Sequence, residues 1–108
     1  MIFSPWQWLL MRQIEALGLP PPAEEYVFAA PRRWRFDLVY PGRGLAIEVS
    51  AGNWANGRHV RGKGYEQDCE KYSEAAVRGW RIIHVTGDMV ADGRAAQLVE
   101  RAFGRRVI

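Results

Sequence analysis

The chain has 108 residues, of which 48% are hydrophobic and 25% charged, and its 15 Lys and Arg against 12 Asp and Glu give a net charge of +3. This composition is typical of a folded globular domain and excludes an intrinsically disordered chain. The length indicates a single domain over residues 1–108, because domains with one hydrophobic core usually have about 100–150 residues.

The sequence lacks the features of membrane and secreted proteins. No apolar run approaches the roughly 18 residues that span a membrane. The first residues have no basic segment followed by an apolar one, as a secretory signal would. One cysteine, Cys69, is too few for an internal disulfide or a cysteine-based zinc site. We therefore expect an intracellular protein without membrane association.

The first part of the chain predicts a helix and a short strand. Ser4 and Pro5 are typical of a helix start, because the serine hydroxyl caps free amides and proline fits the first helical position. Gly18 and the prolines at 20–22 end this helix. The alternation over Glu25–Ala30 then predicts a short strand.

A β-hairpin is the clearest predicted unit. Arg33–Tyr40 and Leu45–Ser50 both alternate in hydrophobicity, and Pro41–Gly44 between them is typical of a turn. Strict alternation would place Phe36 and Leu38 on the same face of the first strand.

The second half predicts a loop, two helices and a strand. Ala51–Gly64 is glycine-rich and polar, and we expect a loop there. A helix is predicted over Tyr65–Arg78, a buried strand over Trp80–Val85, and a final helix from Asp92 to Gly104. The order α-β-β-β-α-β-α predicts an α/β fold with a mixed four-stranded sheet flanked by helices, the last strand running parallel to a hairpin strand.

Two interpretations place side chains in the core. Tyr65, Cys69, Tyr72 and Ala76 form an apolar stripe on the predicted helix, so Cys69 is expected to be a small core residue. His84 lies within the last predicted strand, and we expect it to be structural.

The charge pattern directs attention to two acids. Segment 31–64 carries seven Arg and Lys residues but only Asp37 and Glu48 as acids. If the hairpin pairs symmetrically about its turn, Asp37 faces Glu48 with Cβ atoms about 4.5–5.5 Å apart. Like charges so placed are unfavourable unless a cation lies between them, and Mg²⁺ or Mn²⁺ would serve. A salt-bridge network with Arg33 or Arg35 is the alternative.

These acids resemble the core of the PD-(D/E)XK nuclease superfamily: Asp37 ends Arg-Phe-Asp, and after ten intervening residues Glu48 stands in Ile-Glu-Val-Ser. The element order also matches the restriction-endonuclease-like fold. The whole chain is similar to small phage and bacterial endonuclease-like proteins related to the very-short-patch-repair and VRR-NUC types. Four further segments carry this similarity: Arg33–Asp37, Gly57–His59, Asp68–Tyr72 and Gly79–Arg81.

The resemblance implies roles for individual residues. Asp37 and Glu48 would be ligands of Mg²⁺ or Mn²⁺, with the backbone carbonyl of Val49 as a further ligand. Ser50 occupies the motif position where the family has lysine or an acid, and a serine cannot supply positive charge or act as a base near neutral pH. Some relatives carry the lysine on the following helix, which makes Lys71 the candidate here.

Other relatives use an acid from the first helix. Gln7, Glu15 and Glu25 are the available side chains, and the sequence does not choose among them.

The basic segment supplies the expected contacts to DNA. His59, together with Arg58, would contact or position the scissile phosphate, and Trp54 could stack on a base. Basic side chains there give affinity through phosphates without reading sequence, although a solvated surface loop would have the same composition. The expected nucleic-acid-binding residues are Arg35, Trp54, Arg58, Arg61 and Lys63.

The sequence therefore predicts a magnesium-dependent DNA endonuclease, structure-selective rather than sequence-specific, and a homodimer. The expected location is the cytoplasm of a bacterial or phage-infected cell. Two alternatives stay open. Ser50 favours a nucleic-acid-binding domain that kept the fold and lost activity, and the third possibility is a structural partner in a phage or DNA-repair assembly.

Overall fold

The computed structural model describes residues 4–50 and 62–104, with Gly62 and Lys63 described by their backbone alone. The elements follow the predicted order, with one additional short helix, α3. The helices are α1 (Pro5–Ala16), α2 (Gly62–Val77), α3 (Gly87–Ala91) and α4 (Arg94–Phe103). The strands are β1 (Ala23–Val27), β2 (Arg35–Tyr40), β3 (Leu45–Ser50) and β4 (Arg81–Thr86).

The four strands form one mixed sheet in the order β1-β2-β3-β4. β1, β2 and β3 are antiparallel neighbours, and β4 lies parallel to β3, as predicted. The hairpin register is also confirmed, since Leu38 pairs with Ile47 and Tyr40 with Leu45. The α/β fold class predicted from the sequence is therefore confirmed.

The hairpin turn is a single turn of 3₁₀ helix over Pro41–Arg43. Gly44 follows it with φ +58, a left-handed conformation that favours glycine. This turn fixes the register of the two strands that carry both acids.

Two hydrophobic clusters cover the two faces of the sheet. One lies beneath α1, α3 and α4 and contains Leu10, Ile14, Leu38, Ile47 and Val99. The other lies beneath α2 and contains Phe36, Val39, Ala46 and Ala75. Because Ala46 and Ile47 are successive residues of β3, the two clusters are on opposite faces.

The alternation predicted for β2 fails at one position. Phe36 and Leu38 lie in different clusters, although strict alternation would place them on one face. Glu25, which lies opposite Asp37 in the β1–β2 register, has φ +49. This conformation is uncommon for a residue other than glycine, and it interrupts the regular pleat where Asp37 lies.

The first strand differs from its prediction in extent. β1 covers Ala23–Val27, whereas the alternation predicted Glu25–Ala30. Phe28 and Ala29 are buried beyond the end of the strand, in a turn closed by the Arg32 amide donating to the Ala29 carbonyl. Burial there comes from the turn packing onto the sheet, which mimics the pattern of a strand.

Helix α2 begins at Gly62, so the predicted loop ends earlier than residue 64. Glycine costs little in a first turn, where the amides have no partners within the helix. The predicted core stripe is wrong, because Tyr65 and Cys69 are exposed and Ala75 is the buried residue. The helix contacts the sheet through its C-terminal half.

The end of the chain corrects two expectations. His84 is exposed, not a core residue, because β4 is an edge strand of the sheet. Helix α4 starts after Gly93, and the Asp92 carboxylate accepts a hydrogen bond from the Arg94 amide at 3.1 Å. Within residues 4–50 and 62–104, no helix has the length and apolarity needed to cross a membrane.

Candidate functional site

Asp37 and Glu48 interlock through each other's strands. The Asp37 amide donates to Glu48 Oε2 at 3.0 Å, and the Val49 amide donates to Asp37 Oδ2 at 2.7 Å. The regular backbone pairs of this hairpin end at Leu38 and Ile47, one residue before the two acids. Side-chain oxygens thus take over the hydrogen bonds of the sheet, and the two predicted acids lie side by side.

Glu48 is buried, with 8% of its surface exposed, and is held by two side chains of α2. Its Oε1 accepts from Lys71 Nζ at 3.1 Å and from the Tyr72 hydroxyl at 2.9 Å. The Lys71 side chain is itself only 16% exposed. Burial, followed by the neighbouring Glu48 carboxylate, raises the pKa of Tyr72 well above its usual range, so Tyr72 stays a hydrogen-bond donor.

Asp37 lies in an environment that disfavours its charge. Burial is the largest cause that raises its pKa, and the carboxylates of Glu48 and Glu25 add to the effect. The Val49 amide and the Lys71 charge oppose it without cancelling it. A carboxylate in this position would be stabilised by a further positive charge.

Gln7 of α1 joins the cluster from the other side. Its Nε2 donates to Glu25 Oε2 at 3.3 Å and to the Asp37 carbonyl at 3.4 Å. Of the three side chains that the sequence left open, Gln7 and Glu25 therefore lie near Asp37. Glu15 instead pairs with Arg12 on the exposed surface of α1, at 3.5 Å.

The counter-ion of the acid pair is a lysine. Among the described residues, no ion pair joins Arg33 or Arg35 to Asp37 or Glu48, and both arginines are exposed. The alternative in which these arginines neutralise the acids is therefore wrong for the described residues. Lys71 of α2 forms the ion pair with Glu48 instead.

Ser50 and His84 form a second pair beside the acids. Ser50 Oγ lies 2.8 Å from His84 Nε2, and His84 is the partner of Glu48 in the β3–β4 register. The His84 ring also lies near Tyr72, with ring centroids 6.3 Å apart. Sequence reasoning missed the partnership, because nothing in the sequence of β4 indicates which residue of β3 it will face.

The acid pair has the donor chemistry of a magnesium or manganese site. Within the described part of the chain, no group of three or more His, Cys, Asp or Glu residues is arranged to hold a metal ion. Mg²⁺ commonly needs only one or two protein carboxylates, with water and phosphate completing its shell. Glu48 Oε2 accepts one hydrogen bond and Asp37 Oδ2 accepts one, which leaves lone pairs on both carboxylates for a cation.

Most of the predicted nucleic-acid-binding residues belong to the segment between β3 and α2. Trp54, Arg58, His59 and Arg61 lie outside the described residues, as does the side chain of Lys63. Arg35 is exposed at the start of β2, two residues before Asp37.

Tyr72 is a site residue that sequence reasoning missed. The helical spacing predicts a place for it in the core stripe, but its hydroxyl contacts Glu48. Its position directly after Lys71 is the one signal that the sequence offers.

Comparison with known proteins gives one informative likeness. No protein-family model matches the chain, and neither does a curated protein. The fold is similar to a solved structure, the homing endonuclease I-Bth0305I catalytic domain, with a TM-score of 0.68 over 94% of this chain and 95% of that one. Sequence identity is 20%, so the likeness extends to the fold alone.

Proposed function

We propose that the chain is a metal-dependent endonuclease that hydrolyses phosphodiester bonds in DNA. The observation that carries the proposal is the interlocked pair of Asp37 and Glu48, with Lys71 Nζ 3.1 Å from Glu48 Oε1. The likeness to an endonuclease catalytic domain supports it, and so does the resemblance of the two strands to the PD-(D/E)XK core.

Asp37, Glu48 and the Val49 carbonyl would hold Mg²⁺ or Mn²⁺. When bound there, the ion supplies polarisation of the scissile phosphate and a lowered pKa for the attacking water. Burial and the Glu48 and Glu25 carboxylates raise the pKa of Asp37, so its ionised form would be stabilised by a bound cation. The Val49 amide fixes one oxygen of Asp37 and thereby orients the other.

Lys71 and Tyr72 prepare the site from α2. Both donate to the same oxygen of Glu48, which holds that carboxylate in one orientation. The Lys71 charge would also stabilise negative charge that develops on the phosphate. This is the role proposed for Lys71 in place of the missing motif lysine.

The basic side chains are proposed to bind the DNA backbone. Arg35 is exposed close to Asp37 and is available to a phosphate. The other residues in this role are assigned from the sequence: Trp54, Arg58, His59, Arg61 and Lys63. Phosphate contacts carry no sequence information, which supports a structure-selective enzyme. A homodimer would bring two sites to the two strands of a duplex.

A second function has one feature in its favour. Ser50 stands in the position of the motif lysine, and Glu48 already accepts three hydrogen bonds. A nucleic-acid-binding domain that lacks activity would retain this arrangement for stability.

Cleavage assays distinguish the two functions. Linear, nicked and four-way-junction DNA would be incubated with wild type, Asp37→Asn and the control Glu24→Gln, an exposed acid on β1. We expect cleavage in Mg²⁺ or Mn²⁺, none in EDTA, a loss of about 100-fold or more in Asp37→Asn, and wild-type rates in the control. Binding without cleavage in any metal would support the binding domain, and the absence of both would contradict both functions.

A further inference from the structure

Ser50 and His84 lie beside the acid pair with donor capacity that the proposed reaction has not used. Their 2.8 Å contact joins the last residue of β3 to a residue of β4 two positions before that strand ends, and His84 is exposed although its neighbour Val85 is fully buried. The imidazole therefore faces solvent on the side of the sheet where α2 presents Tyr72. Packing of the core does not require a histidine at this position.

The direction of this contact depends on which ring nitrogen of His84 carries the proton. A serine hydroxyl has one donor and two acceptor sites, and an imidazole with its proton on Nε2 would donate to Ser50 Oγ. The hydroxyl proton of Ser50 is then free for another acceptor, and accepting the bond from His84 strengthens it as a donor. Glu48, two residues earlier on the same strand, accepts from three other groups.

Lys71 does not by itself supply the hydrogen-bond donor that a phosphate would need on the β3 side of the site. Its ammonium is 3.1 Å from Glu48 and its side chain is 16% exposed, so its position is tied to that carboxylate. A phosphate placed at the acid pair would need a further donor on the β3 side of the site, and Ser50 is the next polar side chain along that strand.

We propose that the Ser50 hydroxyl donates a hydrogen bond to a non-bridging oxygen of the scissile phosphodiester and that His84, with its proton on Nε2, positions Ser50 for this contact. The inference rests on the proposed nuclease function. It makes Ser50 a substrate-contacting residue, not a deficit in the motif. It makes His84 a positioning residue that acts through Ser50.

A double-mutant cycle tests the arrangement. Ser50→Ala, His84→Ala and the double variant would be compared in DNA cleavage, with Ser73→Ala, an exposed serine of α2, as matched control. We expect each single variant to lower kcat about 100-fold with little change in KM, and the double variant to be no slower than Ser50→Ala. His84→Gln, which keeps a donor for Ser50, should restore much of the rate.

Two results would overturn the inference. Independent, multiplicative losses from Ser50→Ala and His84→Ala would show that His84 does not act through Ser50. Losses of activity that parallel losses in Tm would show that the pair only stabilises the end of the sheet. The control Ser73→Ala should change neither quantity.

A binding readout separates this inference from the proposed function. The chain has two histidines, so comparison with His84→Gln assigns the His84 ring resonances in ¹⁵N NMR spectra. Adding duplex DNA in Ca²⁺ should shift the His84 signals in wild type and leave them unchanged in Ser50→Ala. If wild type cleaves no DNA, the proposed function fails, but the shift of the His84 signals still supports the contact between Ser50 and a phosphate. If wild type shows no such shift, the inference is overturned.

Discussion

The carboxylate of Glu48 accepts a hydrogen bond from the backbone amide of Asp37 at 3.0 Å. It takes the place of the backbone carbonyl that a neighbouring strand offers in a regular ladder. Asp37 does the same for the amide of Val49 at 2.7 Å. Each acid is therefore fixed by the other's strand, and the two cannot separate without breaking the end of the hairpin. The fold therefore retains the electrostatic repulsion between the two adjacent carboxylates.

Removing the Asp37 charge should stabilise the metal-free protein. Asparagine can still accept from Val49, but it no longer places a charge beside Glu48 and Glu25. In EDTA at neutral pH we expect Asp37→Asn to gain about 1 kcal/mol, a Tm increase of about 4–8 °C. Thermal unfolding followed by circular dichroism measures it, and a lower Tm than wild type would contradict the electrostatic account.

The gain of Asp37→Asn should depend on pH. The folded-state pKa of Asp37 lies above its ordinary value of 3.8. Stability from the protonated carboxyl is fully present below the unfolded-state pKa and is lost as pH rises through the folded-state pKa. The Tm difference between variant and wild type should therefore be small below pH 3.8. It should grow between pH 3.8 and the raised folded-state pKa, and level off above that pKa. A constant difference at all pH values would exclude the proposed cause.

Breaking the buried ion pair should be costly. Lys71→Met leaves the Glu48 carboxylate buried without its cation, and we expect a loss of about 3 kcal/mol in the free energy of unfolding. The control Arg12→Met removes an exposed pair with Glu15 and should cost less than about 1 kcal/mol. Adding Glu48→Gln to Lys71→Met should recover part of the loss, because neither charge is then left alone. Urea unfolding measures all three, and equal losses for Lys71→Met and Arg12→Met would contradict the burial argument.

Gly87 should tolerate no side chain. A Cβ there would lie 2.7 Å from the Trp6 ring, so Gly87→Ala has to displace the indole and the packing of α1 on α3. We expect a loss of about 1–3 kcal/mol. Gly42→Ala is the matched control, since a Cβ at residue 42 meets no atom within 4 Å. Equal stability of both variants would show that Trp6 moves freely.

Arg35 should contribute to DNA binding through one phosphate. Arg35→Ala is expected to weaken binding to all sequences alike and to reduce the salt-dependence slope by about 1. Arg94→Ala is the control, because Arg94 is paired with Asp92 at 2.8 Å. Fluorescence anisotropy in Ca²⁺ at several salt concentrations gives the slopes, and an unchanged slope for Arg35→Ala would remove this residue from the interface.

The hairpin was predictable because its determinants are local. The turn over Pro41–Gly44 fixes the register, and the alternation of Leu45–Ser50 gives the bounds of β3 as observed. Together these features of the sequence predict that Asp37 lies beside Glu48, as the register shows.

What the sequence could not provide depends on long-range contacts. Neither the left-handed conformation of Glu25 nor the placement of Phe36 and Leu38 on opposite faces has a local signature in the sequence. Tyr72 and His84 belong to elements whose apolar neighbours suggested a core position. Their contacts with Glu48 and Ser50 follow from how α2 and β4 lie on β3.

Mn²⁺ binding, followed by electron paramagnetic resonance, tests most directly whether the two acids share a cation. Wild type should bind Mn²⁺, Glu48→Gln and Asp37→Asn should lose that binding, and the exposed control Glu24→Gln should match wild type. Equal Mn²⁺ binding by all four proteins, or none by wild type with DNA present, would contradict the account.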